Sequence, residues 1–243
     1  MLHKPLPCAI TDLASWLTVL IAQASAFQSV TLCYAMMTGR LTVYHSGGSL
    51  NTYMSHHRHA NDPERRKWQN PEAILANIGL KAGLTFMDIG CGGGFFALPA
   101  ARVVGESGKV YGIDTNAESV SELRELASRE GLNNLELTIG KAEDVVLCDS
   151  CADIVFFGIV LHDFEDTAKV LQNAKKMLNP AGRLINLDWK KITMQLGPPL
   201  QKRFGEEKSV QLIEAAGFEV LSIKDIGPYH YIIVAKPYTF ARV

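Results

Sequence analysis

The stretch Phe86-Met-Asp-Ile-Gly-Cys-Gly-Gly-Gly-Phe95 decides the fold class of this chain. It completes an apolar run over residues 84–89, which has the composition of a buried strand, and it opens an apolar helical pattern over residues 95–104. Glycines between a strand and a helix let the backbone adopt positive φ and approach a ligand closely. The free N–H groups of the helix favour negative charge at the same place. The stretch therefore predicts a ligand-binding turn at the carboxyl end of a first strand.

The regions after this turn alternate short apolar runs with amphipathic helical patterns. This order predicts a mostly parallel sheet with helices on both faces, a Rossmann-like α/β fold. The last two strands have only residues 224–230 between them, too few for a helical crossover, so we predict that they form an antiparallel hairpin. The predicted strands are residues 84–89, 110–113, 135–139, 154–160, 183–187, 218–223 and 231–235, and the predicted helices are 95–104, 117–130, 166–178 and 206–216.

The spacing of the glycines separates two kinds of ligand. The dinucleotide pattern G-x-G-x-x-G requires a glycine at position 95, where this chain has Phe95. The residues present, Asp88, Gly90, Gly92 and Gly94, give D-x-G-x-G-x-G instead, which resembles the pattern of methyltransferases that bind S-adenosylmethionine. A purely structural turn is the alternative.

Asp114 ends the second predicted strand, and Thr115-Asn116 begins the next helix. A carboxylate at this place can accept hydrogen bonds from both hydroxyls of a ribose, although the residue could also be a plain helix cap. A ribose is also present in NAD, so Asp114 alone does not separate the two cofactors.

Several motifs resemble class I S-adenosylmethionine-dependent methyltransferases, especially the small-molecule group similar to the enzymes of ubiquinone and menaquinone biosynthesis (methyltransferase type 11). The resemblance covers about residues 80–237, in the family's order. The segments that carry it are MDIGCGGG (87–94), YGIDTN (111–116), ADIVFFGIVLHDFED (152–166), KKMLNPAGRLINLDWKK (175–191) and IEAAGFEV (213–220).

The resemblance implies a cofactor site for S-adenosylmethionine. Asp88 and Gly90 would hold its methionine part, Asp114 its ribose, and Ala142 and Glu143 would lie by its adenine. Many relatives have an Asp before that alanine where this chain has Lys141, and Glu143 or Asp144 would have to replace it. The full predicted cofactor site is Asp88, Gly90, Cys91, Gly92, Gly94, Asp114, Thr115, Ala142, Glu143 and Phe157.

Candidate catalytic residues lie at the mouth of this site. Backbone at Phe157 would pass the sulfonium, whose charge the ring could favour. His162, with Asp163 beside it, is chemically suited to be a general base, although a structural histidine is the reading to which we give more weight. His230 lies at the turn before the last strand, at the same edge of the sheet.

Other acceptor-side candidates are less specific. They are Asp188-Trp189-Lys190, Tyr229, and a polar segment with His56, His57, Arg58, His59 and Trp68 that could fold over the cofactor as a lid. Three nearby histidines could also bind metal, but their spacing is irregular, and we predict no metal site. The cluster Arg65-Arg66-Lys67 is interpreted as a solvated helix face.

Composition limits the partners. A formal charge of −1 and a pI near 6.7 give no field that attracts a polyanion, so no nucleic-acid substrate is expected. Five cysteines are an odd number, which predicts reduced intracellular thiols, and the pair Cys148 and Cys151 is interpreted as part of a connecting loop. We expect a cytoplasmic protein; nothing in the sequence gives the oligomeric state.

Residues 1–53 differ from the rest of the chain. They contain an apolar segment that superficially resembles a secretory signal, yet Asp12, Gln23 and Gln28 make a poor membrane span. A peripheral hydrophobic helix, a weak membrane contact through residues 8–37, and upstream sequence before a true start at Met54 all remain open, and we favour the last. The predicted organisation is this extension, a polar segment and helix over 54–82, and a methyltransferase domain over 83–243.

The sequence therefore predicts an enzyme that transfers a methyl group from S-adenosylmethionine to a small molecule. The acceptor atom can be oxygen, carbon or nitrogen. The rival functions are an NAD(P)-dependent oxidoreductase on a similar sheet and a partner subunit that keeps the cofactor pocket without catalysis.

Overall fold

A computed structural model describes residues 62–238 and two short paired strands, Val30–Thr31 and Tyr44–His45. The contacts divide the chain into two units, Met1–Met54 and Ser55–Val243, and the candidate site belongs to the second. Apart from these two short strands, residues 1–53 lie outside the described part of the chain, and so do His56, His57, Arg58 and His59 of the predicted lid.

The second unit is built on a seven-stranded sheet. Its strands are β1 (Thr85–Ile89), β2 (Lys109–Asp114), β3 (Leu135–Ile139), β4 (Ala152–Gly158), β5 (Leu178–Trp189), β6 (Phe218–Ile226) and β7 (His230–Pro237). Their order across the sheet is β3-β2-β1-β4-β5-β7-β6. Five neighbouring strands pair in parallel, whereas β7 is antiparallel to both β5 and β6. The predicted fold class and terminal hairpin are confirmed.

Six helices accompany the sheet in the described part of the chain. They are α1 (Pro63–Trp68), α2 (Pro71–Asn77), α3 (Ala97–Val104), α4 (Ala117–Arg129), α5 (Thr167–Met177) and α6 (Glu206–Ala215), and a 3₁₀ turn, Leu161–Asp163, follows β4. Side chains cap several of them: Asn70 accepts the N–H of Ala73 ahead of Pro71, as its sequence predicts. The bounds of helix α1 were not predicted, although Arg65-Arg66-Lys67 was interpreted as a helix face, because its charged residues show no apolar periodicity.

Two apolar clusters cover the two faces of the sheet. One contains Phe86, Phe96, Phe156 and Trp189, and the other contains Met87, Phe157, Leu184 and Tyr231. Each strand contributes alternate residues to opposite faces, so that Phe86 and Met87 belong to different clusters. This arrangement fixes the carboxyl ends of β1, β2, β4 and β5 at one edge.

The loop before β4 contradicts the prediction that all five cysteines are reduced thiols. Cys148 and Cys151 form a disulfide, because the left-handed turn at Ser150 (φ 51°) folds the loop back and leaves their Cα atoms 6.0 Å apart. Cys91 is free and buried. The disulfide precedes β4, at the edge of the sheet opposite the glycine turn.

No helix among the described residues is both long and apolar enough to cross a bilayer.

Candidate functional site

The glycine turn joins β1 to α3, and steric limits explain its composition. Gly90, Gly92 and Gly94 have φ of 76°, 49° and 86°, a region that side chains rarely adopt. A Cβ at Gly90 would also collide with Val160, and one at Gly94 with Leu123 of α4. A Cβ at Gly92 would make only an ordinary contact, 3.9 Å from the Asp114 carboxylate. Of these three glycines, Gly92 is therefore the one beside which a ligand has room to approach the backbone.

Asp114, the last residue of β2, is fixed against this turn. Its Oδ2 accepts the Gly92 N–H at 2.7 Å and its Oδ1 accepts the Asn116 N–H at 2.9 Å. The side chain is half-buried, and each oxygen has a further lone pair for another donor. The carboxylate therefore has a fixed position and spare acceptor capacity, which fits the ribose role that the resemblance implies. Thr115 beside it is exposed.

Asp88, near the end of β1, is an unusual carboxyl group. It is only 2% exposed, and its Oδ2 has no hydrogen-bond partner among the described residues. Burial raises its pKa to about 7, although Arg65 nearby and the Ala97 N–H lower it. A buried carboxyl with an unpartnered oxygen is a site for a cation. The ammonium group of a bound S-adenosylmethionine is a cation of the kind that this position would take.

Arg65 of α1 contradicts the prediction of a solvated basic face. It is 6% exposed; its Nε donates to Gln69 Oε1 at 2.7 Å, and its guanidinium lies 3.8 Å from the centroid of the Phe95 ring. The prediction was wrong because α1 turns this residue inward, over the glycine turn, while Arg66 and Lys67 form ion pairs with Glu72 and Glu64. The charge of Arg65 influences both Asp88 and His230. Sequence periodicity gave no signal for this residue.

The residues predicted to lie by the adenine, Ala142 and Glu143, belong to a loop after β3 that α5 holds in place. Asn173 of α5 donates to the carbonyls of Ala142 and Glu143, at 3.0 and 2.8 Å. Ala142 is buried and Glu143 half-buried. Asp144, the other acid considered for the adenine, pairs with Lys169 at 2.9 Å, which lowers the pKa of Asp144. Glu143 is therefore the better placed of the two acids for a new contact.

The end of β4 lies against the glycine turn through Val160. The preceding residue, Ile159, has φ of 65° although it is β-branched, so the backbone is strained here. Phe157 is fully buried, and its ring packs edge-on against Phe164, 6.1 Å away. These contacts place the Phe157 ring in the core, and they give no support to the prediction that the ring lies beside a sulfonium.

His162 and Asp188 form a buried pair next to this strand end. His162 Nδ1 lies 2.8 Å from Asp188 Oδ1, and the two side chains are 2% and 0% exposed. The Trp189 N–H also donates to Asp188 Oδ1. On its other side, His162 Nε2 is 3.6 Å from Asp163, whose side chain is 44% exposed. Asp188 orients the imidazole, and burial raises the pKa of Asp188 in spite of His162.

His230 begins β7 inside a cluster of aromatic rings. It pairs in register with Trp189, their ring centroids are 4.3 Å apart, and it stacks on Trp68 at 5.5 Å. Burial, together with the charges of Arg65, Arg203 and Lys190, lowers the pKa of His230 to about 3. The imidazole is therefore neutral at physiological pH and a weak base. Tyr229 lies edge-on to it, 6.3 Å away.

Comparisons with known proteins agree with this geometry. Residues 80–215 match the family described as methyltransferase domain. A demethylmenaquinone methyltransferase of Oceanobacillus iheyensis is 26% identical over 152 residues, which are 63% of this chain and 60% of that protein. An arsenite methyltransferase of Halobacterium salinarum is 30% identical over 115 residues, 47% of this chain and 29% of that one. The chain thus spans three fifths of the first curated relative and less than a third of the second.

Among solved structures, a S-adenosylmethionine-dependent methyltransferase from Aquifex aeolicus superimposes with a TM-score of 0.69 at 32% identity. The match covers 73% of this chain and 94% of that one. With the glycine turn and the two acids in place, these matches decide between the two cofactors considered, and no comparison supports a nicotinamide enzyme. The chain belongs to the methyltransferase domain family, the S-adenosylmethionine-dependent methyltransferases.

Proposed function

We propose that this protein transfers the methyl group of S-adenosylmethionine to a small-molecule acceptor. The observation that carries the proposal is the buried carboxyl of Asp88, whose Oδ2 has no hydrogen-bond partner among the described residues, together with the carboxylate of Asp114 that the Gly92 N–H holds in place. The first acid suits the ammonium group of the cofactor, and the second suits its ribose hydroxyls. The relatives whose names mention demethylmenaquinone and arsenite act on small molecules, which supports the same class of acceptor here.

The cofactor, when bound, supplies an activated methyl group on a positively charged sulfur. The protein then has to align the acceptor with that methyl and keep water out. The rigid edge formed by β1, β4 and β5 suits this positioning task. The strained backbone at Ile159 fixes the path of the chain between Gly158 and the His162 turn.

A general base is needed only where the acceptor must lose a proton, and we propose that it lies in the turn Leu161–Asp163 after β4. His162 is oriented by Asp188, but its side chain is 2% exposed, so Asp163, with 44% exposed, is the group of this turn that solvent reaches. His230 is held neutral by burial. We therefore propose that His162 positions Asp163, which lies 3.6 Å from its Nε2. Asp163 would then take the proton from a methyl acceptor that must lose one.

Binding of S-adenosylhomocysteine, the product form of the cofactor, tests the proposal. We expect it to raise the melting temperature of the full chain, by several degrees at a concentration 100-fold above its Kd, which corresponds to about 2.7 kcal/mol. NAD and NADPH should not raise it. Absence of any effect of S-adenosylhomocysteine, measured also by calorimetric titration, would refute the proposal. Transfer of labelled methyl to a panel of metabolites then identifies the acceptor.

The cytoplasm is proposed as the compartment, since the cofactor is made and used there. The Cys148–Cys151 disulfide of the structure offers a test, because a reducing cytoplasm would convert it to two thiols. Differential alkylation of protein from rapidly quenched cells should find the pair mostly reduced. A fully oxidised pair would argue against this location.

A further inference from the structure

Three aromatic rings meet where β5 ends and β7 begins. Trp189, His230 and Trp68 have ring centroids within 5.5 Å of one another. Because β7 is antiparallel to β5, its first residue lies at the same edge as the carboxyl ends of the parallel strands. The rings therefore lie at the ligand edge of the sheet, and Arg65, which influences both Asp88 and His230, connects them to the candidate cofactor pocket.

Three polar atoms of this cluster have no hydrogen-bond partner among the described residues. Trp189 Nε1, His230 Nε2 and Gln69 Nε2 are buried and make no hydrogen bond to any residue that the structure describes. Their residues are 4%, 1% and 3% exposed. An unmade hydrogen bond on a buried group is costly, and native proteins have few of them, so three together require an explanation. Two of the three are N–H donors only, which points to a ligand that brings an acceptor atom.

The charged side chains that act on His230 of this cluster are all cations. Arg65, Lys190 and Arg203 all act on His230. Arg203 donates to the carbonyls of Pro198, Ile192 and Leu196, and Lys190 pairs with Asp225 at 2.8 Å, on the side open to solvent. Neutral carbonyls therefore hold Arg203, whereas Asp225 partly offsets the charge of Lys190, and the charges of Arg65, Arg203 and Lys190 all still reach His230.

We infer that the cluster of Trp68, Trp189 and His230, with Gln69, is the acceptor's subsite and binds a planar aromatic compound through a negatively charged oxygen, such as a phenolate. The half-buried ring of Trp68 supplies the packing surface, the unpartnered N–H groups meet the oxygen, and the cations stabilise its charge. This inference rests on the proposed function, since it names the class of acceptor. In this subsite the cations and N–H donors hold the acceptor's negative charge, so that His230 does not need to be protonated.

The test uses the full chain and equilibrium dialysis of 4-nitrophenol at about pH 8, with and without S-adenosylhomocysteine. Nitrobenzene is the matched probe that keeps the ring but lacks the ionised oxygen. We expect 4-nitrophenolate to bind at least about ten-fold more tightly than nitrobenzene, the size expected for one charge-assisted hydrogen bond. Equal binding of the two probes would overturn the inference, as would the absence of binding of 4-nitrophenolate at millimolar concentration.

Two pairs of variants locate the binding. Trp68→Leu should weaken 4-nitrophenolate about three- to ten-fold, whereas Tyr238→Leu, at an exposed ring beyond the far end of β7, should not. Lys190→Gln should weaken it about two- to five-fold, whereas Asp225→Asn, which removes the partner of Lys190, should not. Unchanged binding in both Trp68→Leu and Lys190→Gln would place the probe elsewhere and overturn the inference.

The test separates this inference from the proposed function. Calorimetric titration of S-adenosylhomocysteine is run on the same wild-type and variant proteins. If the cofactor product binds and 4-nitrophenolate does not, the acceptor class is wrong and the function stands. If the cofactor product fails to bind, the function fails, and the dialysis without it still decides whether the aromatic subsite exists.

Discussion

Replacing Asp88 by asparagine should make the ligand-free protein more stable while removing its cofactor binding. The pKa of this buried carboxyl is raised from 3.8 to about 7. Between these values the folded protein keeps a proton that the unfolded chain has lost, so the stability of the folded state falls as pH rises from about 4 to about 7. Above pH 7 the whole cost is present, about 4 kcal/mol for a shift of about three units.

Asparagine has nearly the shape of the protonated acid and does not titrate. The gain in unfolding free energy of Asp88→Asn should therefore depend on pH, with about 1.5 kcal/mol at pH 5 and up to about 4 kcal/mol at pH 8. Urea unfolding of the ligand-free full chain at both pH values measures it. Asp149→Asn, at an exposed carboxyl on the far edge of the sheet, is the control and should change stability by less than about 0.5 kcal/mol.

Cofactor binding should respond in the opposite direction. An ammonium group prefers the ionised form of Asp88, so the affinity of the wild type for S-adenosylhomocysteine should fall about ten-fold for each pH unit below 7. In Asp88→Asn the dependence on pH should disappear and the affinity should be low throughout. A variant that is less stable than the wild type at pH 8, or a gain that does not grow with pH, would refute the reasoning about burial.

Three further variants test other parts of the site. Asp114→Ala should weaken S-adenosylhomocysteine by at least about 100-fold in calorimetric titration, because it removes two charged hydrogen bonds to the ribose; intact binding would refute the ribose assignment. His162→Ala should cost about 3 kcal/mol in urea unfolding, because it removes the side-chain partner of the buried Asp188 and leaves only the Trp189 N–H; a cost below about 1 kcal/mol would contradict the pairing. Gly94→Ala should lower the melting temperature even without ligand, since its φ is 86° and a Cβ would meet Leu123; an unchanged melting temperature would show that the turn adapts.

The sequence alone predicted the features that follow from local patterns. Apolar runs and helical periodicity predicted the order of strands and helices, and residues 224–230 were correctly judged too few for a crossover. The position of Asp88 and Asp114 at strand ends placed both acids at one edge, because parallel strands share their carboxyl ends there. These inferences depend only on how residues are spaced along the chain, and the sequence gives that spacing directly.

Contacts between distant segments could not be predicted in the same way. Arg65 is one of three consecutive basic residues, and nothing in their spacing distinguishes the one that turns inward. His162 and Asp188 are 26 residues apart, and their hydrogen bond depends on the side-chain directions at the ends of β4 and β5. The Cys148–Cys151 disulfide depends on the left-handed turn at Ser150, which few non-glycine residues adopt.

A side chain at Gly90 or Gly94 would collide with a neighbouring residue, and this bears on how the sequence could change during evolution. Gly90 and Gly94 have to be small so that Val160 and Leu123 can pack, and this need persists whether or not a cofactor ever enters. A descendant that lost its activity would still keep them in order to fold, and it would be free to discard the expensive charge at Asp88. Decay of such a gene should therefore show first at the acid and only much later in the glycines.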